Sequence, residues 1–157
     1  MNGFMRVLGA ALLFAFTVHA EEFTGRVVGV ADGDTITVLA GVEPRRVRLA
    51  GIDAPEKGQP FGRRAKQAVS RLAAGRTVRV VVRGQDRYGR TLGEVRLPDG
   101  ASLNERLVEE GWAWRYTRYS KDPRLAELEA AARRSRRGLW VDPGAVPPWE
   151  FRIANRR

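Results

Sequence analysis

Hydrophobic and polar residues alternate along five stretches of this chain, in the pattern that a half-buried β-strand produces. The clearest stretch is 45–52, where Val47 and Leu49 point to one side and Arg46 and Arg48 to the other. The five predicted strands cover residues 23–30, 35–39, 45–52, 77–83 and 90–97. Because each strand offers one apolar face, we expect the strands to close around a common core.

Three other stretches carry apolar residues at helical spacing. The first covers 61–72 and lies between the third and fourth strands. The second follows a capping box made by Ser102 and Glu105. The third begins at the N-cap residue Asp122, with Pro123 at the first helical position. The pattern predicts a helix in each place.

Five short strands with a helix between the third and fourth follow the order of an OB-type barrel. We therefore predict an α+β fold, a five-stranded OB-fold β-barrel with three α-helices. A chain of 157 residues is long enough for one such domain, which we place at residues 21–142. Residues 143–157 contain several prolines and predict an extended tail, with Trp149 and Phe151 packing back onto the domain.

Residues 1–20 have the features of a secretory signal peptide. Arg6 precedes an apolar run at 7–18, and Val-His-Ala at 18–20 is a suitable cleavage site before Glu21. The run is shorter than the roughly 18 residues of a membrane span. An uncleaved anchor is the second interpretation. We expect cleavage and export, to the periplasm or the medium.

Histidine and cysteine are excluded from the chemistry of the mature protein. The only histidine, His19, lies in the predicted signal peptide, and the chain has no cysteine. A histidine base, a cysteine nucleophile, a zinc site with His or Cys ligands, and a disulfide are thus impossible. Any base must be a carboxylate, and any metal must accept oxygen ligands, as calcium and magnesium do.

The net charge of +10 favours a polyanionic partner. Nucleic acid is the first candidate and an anionic membrane surface the second.

Two short motifs supply three carboxylates. Asp34 lies in Asp-Gly-Asp-Thr, and Asp53 and Glu56 lie in Asp-Ala-Pro-Glu at the end of the third strand. Either motif alone is more typical of a turn. Together with Arg48 on the same strand, they indicate a site where Asp34, Asp53 and the Ala54 carbonyl hold a divalent cation and Glu56 accepts a proton from water.

The planar guanidinium group of arginine can donate two parallel hydrogen bonds to phosphate oxygens, which suits the charge that develops on them during phosphodiester cleavage. Arg48 is one candidate. The turn Asp-Arg-Tyr-Gly-Arg at 86–90 presents Arg87, Tyr88 and Arg90 together, although alone it reads as a polar hairpin turn.

Aromatic residues and arginines alternate at 112–119, an arrangement that can stack bases and hold a nucleic-acid backbone. Some of these rings must belong to the core. We expect Trp112 to be buried, and Tyr116 and Tyr119 to lie nearer the surface.

Four motifs in this order resemble the staphylococcal nuclease (thermonuclease) family: Asp-Gly-Asp-Thr, Arg-Leu-Ala-Gly-Ile-Asp-Ala-Pro-Glu, Asp-Arg-Tyr-Gly-Arg and Asn-Glu-Arg-Leu-Val-Glu-Glu-Gly-Trp-Ala. They span residues 32–113, and Gly-Leu-Trp extends the likeness to about residue 140. The resemblance implies an OB-type barrel with three helices. It also implies calcium-dependent cleavage of DNA and RNA that leaves 3′-phosphates.

The resemblance also assigns a role to each candidate residue. It implies calcium binding by Asp34, Asp53 and the carbonyl of Ala54. It implies activation of water by Glu56 and phosphate clamping by Arg48 and Arg90. It places Tyr88 beside the nucleotide, and aligns the flanking tyrosines only loosely with Tyr116 and Tyr119. The chain departs from the type member at Ala54, which replaces a threonine, and in the short loop at 57–60.

We therefore predict an exported, monomeric nuclease that acts on DNA and RNA, with no stable protein partner and no membrane attachment after signal cleavage. One alternative is a barrel that binds nucleic acid without cutting it. Such domains typically lose the arginines or carboxylates of the site. Both arginines and all three carboxylates are present here: Arg48, Arg90, Asp34, Asp53 and Glu56. The other alternative is a membrane-surface protein, but the third helix has a stripe of mostly alanine, so insertion would be weak.

Overall fold

The computed structural model describes residues 21–155. The strands are β1 (Glu22–Val30), β2 (Thr35–Ala40), β3 (Glu43–Leu49), β4 (Ile52–Asp53), β5 (Thr77–Gln85), β6 (Thr91–Arg96) and β7 (Trp114–Arg115). The helices are α1 (Gly62–Ala73), α2 (Leu103–Glu109), α3 (Pro123–Arg134) and α4 (Pro148–Ala154), with a short 3₁₀ helix at Gly138–Val141.

Five strands close into a barrel in the order β1-β2-β3-β6-β5. All neighbours are antiparallel except β3 and β6, which run parallel, and the β1–β5 pair closes the ring. The predicted OB-type barrel is confirmed. Its interior is filled by the inward faces of the alternating strands, including Ile36, Val38, Val47, Leu49 and Val80, all with no exposed surface.

The helices cap this core. α1 buries Ala65, Ala68 and Val69 against the barrel, as its stripe predicts. The caps read from the sequence are also present. Ser102 accepts a hydrogen bond from the Glu105 N–H, and Asp122 accepts one from the Arg124 N–H. The three predicted helices are thus confirmed.

Two predictions about the last third of the chain are wrong. The extended tail is in fact a fourth helix, α4, because Pro148 sets the backbone angle of a first helical turn and Trp149 packs onto Tyr116. The buried tryptophan is Trp114, which is 3% exposed, whereas Trp112 is only half-buried.

The third strand is also shorter than predicted. It ends at Leu49, because Gly51 adopts a left-handed φ of 76° and turns the chain. The next two residues form β4, which pairs with β7 in a small separate sheet. This sheet carries Asp53 out of the barrel wall.

The predicted signal peptide, residues 1–20, lies outside the described residues. Within residues 21–155, no helix combines the length and apolar character that crossing a bilayer requires.

Candidate active site

Asp34 follows β1 in the turn to β2, and its carboxylate is almost completely buried. Its Oδ1 accepts a hydrogen bond from Thr35 Oγ1 at 3.1 Å, and its Oδ2 accepts one from the Ala54 N–H at 2.8 Å. Burial raises the pKa of Asp34 to about 7, and the positive charge of Arg48 offsets only part of this effect. The carboxylate is therefore held rigidly and titrates near neutral pH.

Asp53 ends β4, and only 1% of its side chain is exposed. The ladder between β4 and β7 fixes its backbone opposite Trp114. Burial raises the pKa of Asp53, although a hydrogen bond from Arg152 and the charge of Arg48 act in the opposite direction. A carboxylate this deeply buried needs neighbouring positive charge to remain ionised.

Arg48 supplies part of that charge and joins the two aspartates. Its Nη2 lies 2.9 Å from Asp53 Oδ1 and 3.2 Å from Asp34 Oδ2. Its Nη1 donates to the main-chain carbonyls of Leu49 and Ile52 at 2.7 and 2.9 Å. The guanidinium is therefore fixed from both sides, and the structure brings it together with both predicted cation ligands.

Glu56 lies on the loop that leads into α1, and 41% of its side chain is exposed. Its N–H donates to Gln59 Oε1 at 3.1 Å, and its carbonyl accepts from the Gln59 N–H at 2.9 Å. Phe61 at the N-cap of α1 has a φ of 67°, a left-handed conformation that costs a bulky residue about 1 to 2 kcal/mol. Glu56 is thus a carboxylate open to water on a tightly held loop.

Two glycines allow these segments to pack closely. A Cβ added to Gly33 would lie 2.7 Å from the Cβ atoms of both Ala54 and Ala65. A Cβ added to Gly62 would lie 2.8 Å from the carbonyl carbon of Glu56. Because real Cβ atoms essentially never approach so closely, the positions of Asp34 and Glu56 depend on these two glycines.

Arg90 lies at the end of the turn between β5 and β6. Its Nε donates to Asp86 Oδ2 at 2.7 Å, and Asp86 Oδ1 accepts the N–H groups of Tyr88 and Arg90. Although desolvation opposes it, hydrogen bonding from Arg90 lowers the pKa of Asp86. Arg90 Nη1 lies 3.4 Å from Thr35 Oγ1, which in turn bonds Asp34, so the turn places Arg90 at the edge of the carboxylate site.

Tyr88 and Arg87 extend this edge outward. Tyr88 is 68% exposed, and Arg87 Nη2 donates to its hydroxyl at 2.6 Å. The guanidinium carbons of Arg87 and Arg90 lie 4.8 and 5.6 Å from the centre of the Tyr88 ring. The turn therefore offers an exposed aromatic ring with two cations beside it.

Tyr116 and Tyr119 follow β7 and meet edge to face, with ring centroids 4.8 Å apart. The Tyr116 N–H donates to the Gly51 carbonyl, which keeps this segment beside β4. Tyr119 is exposed, as predicted. Tyr116 is half-buried because Trp149 of α4 stacks on it, with centroids 5.4 Å apart and an interplanar angle of 3°.

Arg152 of α4 also reaches the site, although the sequence motifs do not predict it. Its Nη2 lies 2.7 Å from Asp53 Oδ2, and its Nη1 lies 2.7 Å from Glu56 Oε1 and 3.2 Å from Asp53 Oδ1. Burial disfavours its charge, but these hydrogen bonds raise the pKa of Arg152 above its usual value. The available signal was the three-residue spacing of Trp149 and Arg152, which places them on one helix face.

Comparison with known proteins agrees with this geometry. The model of the family described as "Staphylococcal nuclease homologue" matches residues 46–142. The chain belongs to the staphylococcal nuclease family. This assignment confirms the resemblance carried by the four motifs.

The similar proteins cover nearly the whole chain. An "Uncharacterized endonuclease" of Escherichia coli O157:H7 is 46% identical over 140 residues, which are 89% of this chain and 92% of that protein. A "Micrococcal nuclease" of Shigella flexneri is 45% identical, covering 97% of this chain and 94% of that protein. A "Protein ParB" of Escherichia coli is 45% identical, covering 93% and 90%.

The site of this staphylococcal nuclease family member offers oxygen donors to a hard cation. The carboxylates of Asp34 and Asp53 both contact Arg48 Nη2, and Ala54, the residue after Asp53, donates its N–H to Asp34 Oδ2. Two carboxylates with a main-chain carbonyl, here that of Ala54, form a donor set that suits calcium. Within residues 21–155, no three acidic side chains are close enough together to hold a metal by themselves. In this structure the positive charge beside the aspartates comes from Arg48 and Arg152. The site therefore fits a cation, but a metal ion would compete with these two guanidinium groups for the carboxylate oxygens.

Proposed function

We propose that this protein is a calcium-dependent nuclease, which hydrolyses phosphodiester bonds of DNA and RNA with little sequence specificity and leaves 3′-phosphate ends. The observation that carries the proposal is the convergence of Asp34, Asp53, Glu56 and Arg48 at one rim of the barrel. The similar proteins named micrococcal nuclease and endonuclease support it, and so does the net charge of +10.

Asp34, Asp53 and the Ala54 carbonyl are the residues that would hold calcium. When bound, calcium polarises a phosphoryl oxygen and orients a water molecule. Asp53 is fixed by the ladder between β4 and β7, and Asp34 by hydrogen bonds from Thr35 and Ala54, so the two aspartates need little rearrangement to act as ligands.

Glu56 accepts the proton of the attacking water. Its partial exposure lets water reach it, and its rigid loop keeps the carboxylate beside Asp53. The accepted proton then leaves to solvent, because the same exposure that admits water connects the carboxylate to it.

Arg48 and Arg90 donate hydrogen bonds to the nonbridging phosphate oxygens, where charge develops in the transition state. Arg48 is anchored by two main-chain carbonyls, and Arg90 by Asp86. Both arginines are already held in place before substrate binds. Cations that are fixed in advance contribute most to the rate.

Arg87, Tyr88, Tyr116 and Tyr119 contact the nucleotides on either side of the cleaved phosphate. The exposed rings of Tyr88 and Tyr119 can stack on bases of any sequence, which fits an enzyme with little sequence preference. We further propose that residues 1–20 are removed on export to the periplasm or the medium, and that the enzyme acts as a monomer without a stable protein partner.

The test is cleavage of a plasmid and of a single-stranded oligonucleotide by the protein that begins at Glu21, with calcium and with chelator. Wild type, Glu56→Ser and the control Glu127→Ser are compared, since Glu127 is a 72% exposed glutamate on α3. We expect calcium-dependent cleavage that falls by orders of magnitude only in Glu56→Ser. Salt-sensitive binding without cleavage under any metal would overturn the proposal and favour a barrel that only binds nucleic acid.

A further inference from the structure

α4 covers the carboxylates of the site, including that of Asp53, a predicted cation ligand. Arg152 uses both terminal nitrogens on the carboxylates, with both oxygens of Asp53 and one of Glu56 as acceptors. Asp53 is buried, whereas 36% of the Arg152 side chain remains exposed. The guanidinium therefore enters from the solvent side and ends on oxygens that a divalent cation would use.

The same helix also covers Tyr116, one of the aromatic rings predicted to contact the nucleotide. Trp149 lies one helical turn before Arg152 and stacks parallel on Tyr116. A centroid separation of 5.4 Å leaves no room for a base between the two rings, because stacked rings need about 3.4 Å on each side of an inserted base. One short helix thus covers both the carboxylates and a ring predicted to contact the nucleotide.

The attachment of α4 is light outside these two contacts. The helix has seven residues, of which only Pro148 is buried. A nearby tether is the hydrogen bond from Gln59 Nε2 to the Val146 carbonyl at 2.6 Å. A helix this short is not stable by itself in water. Besides the buried Pro148 and the half-buried Phe151, the contacts that hold the helix are those of Arg152 and Trp149, so we expect the loss of either of these two to release it.

We propose that α4 is an internal inhibitor, in which Arg152 takes the place of the divalent cation and Trp149 takes the place of a nucleotide base. The proposal rests on the proposed function, since it takes Asp53 as a calcium ligand. Calcium and Arg152 exclude each other, because both are cations that require the oxygens of Asp53. Binding of calcium and nucleic acid requires α4 to move away from the site.

The size of the effect follows from the fraction of molecules in which α4 is detached. If this fraction is about 0.1 to 10%, the usual range for a minor state, calcium binds about 10- to 1000-fold more weakly than to the open site. Removal of the Arg152 side chain should abolish this loss of calcium affinity. The expected result is therefore a calcium dissociation constant at least about tenfold lower in Arg152→Ala than in wild type.

The experiment measures calcium binding by calorimetry with the purified protein that begins at Glu21 and no nucleic acid. The charge-matched control is Arg134→Ala, which removes an exposed arginine of α3 that makes no ion pair within the described residues. A second variant, Trp149→Ala, leaves all charges unchanged. We expect tighter binding in Arg152→Ala and in Trp149→Ala, and wild-type affinity in Arg134→Ala.

Movement of α4 is measured separately. The chain has no cysteine, so Ile153→Cys provides a unique site for a spin label on an exposed position of α4. Calcium should increase the mobility of this label, and in the Arg152→Ala background the label should be mobile before calcium is added.

Unchanged or weaker calcium binding in both variants, with circular dichroism showing folded protein, would overturn the inference while leaving calcium dependence intact. A label whose mobility does not respond to calcium would overturn it as well. Absence of calcium binding in wild type and all variants would instead refute the calcium site itself, and with it the metal dependence of the proposed function.

Discussion

Gly62→Ala tests whether the position of Glu56 matters for catalysis. The added Cβ would lie 2.8 Å from the Glu56 carbonyl carbon, and closer still to its oxygen. Because ordinary carbon contacts begin near 3.5 Å, the Glu56 loop or the start of α1 must shift by about 1 Å. A displacement of this size in a catalytic group costs about 100-fold in rate, and overpacking costs about 1 to 3 kcal/mol of stability.

The assay is the rate of plasmid cleavage at saturating calcium, together with thermal unfolding. Gly58→Ala is the matched control, since a Cβ on this glycine of the same loop would meet nothing within 4 Å. We expect Gly58→Ala to keep wild-type activity and Gly62→Ala to lose about two orders of magnitude in rate. Equal activities of the two variants, with Gly62→Ala folded at the assay temperature, would refute the role given to the Glu56 loop.

Three further predictions concern the support of the barrel, the metal site and the arginine turn. Asn104→Leu should lower the free energy of unfolding, measured by chemical denaturation, by about 3 kcal/mol, because leucine removes the hydrogen bonds that the buried Asn104 amide makes to the Val95 N–H and the Ala50 carbonyl, whereas the Gly93 carbonyl keeps the Ala50 N–H as a partner; a loss below about 1 kcal/mol would contradict this reasoning. Calcium must displace a proton from Asp34, whose pKa is raised to about 7, so affinity measured by calorimetry should fall about tenfold per pH unit below 7 and level off above it. The Asp34→Asn variant should bind calcium weakly and lose this dependence on pH. If its calcium titration matched that of wild type, Asp34 would not be a calcium ligand. Asp86→Ala should lower kcat/KM about tenfold by freeing the Arg90 side chain, and an unchanged value would show that Asp86 does not position it.

The sequence alone determined the barrel, because alternation of period two and helical stripes are local patterns that a buried face imposes on each element. Val47 and Leu49 had to point inward together, and Arg48 between them had to point away. The caps at Ser102 and Asp122 were readable for the same reason, since a cap is satisfied within its own helical turn. Absence of cysteine from the chain, and of histidine outside residues 1–20, likewise restricted the chemistry to carboxylates and arginines without any knowledge of the fold.

Only the tertiary structure decided which groups meet. The pairing of β4 with β7, the burial of Trp114 rather than Trp112, and the raised pKa of Asp34 all arise from segments far apart in the sequence. Arg152 is the clearest case, since 99 residues separate it from Asp53. Its ion pairs depend on where α4 docks, and docking is a property of assembled surfaces. The local spacing of Trp149 and Arg152 shows only that they share a helix face, and it does not show which surface that face will meet.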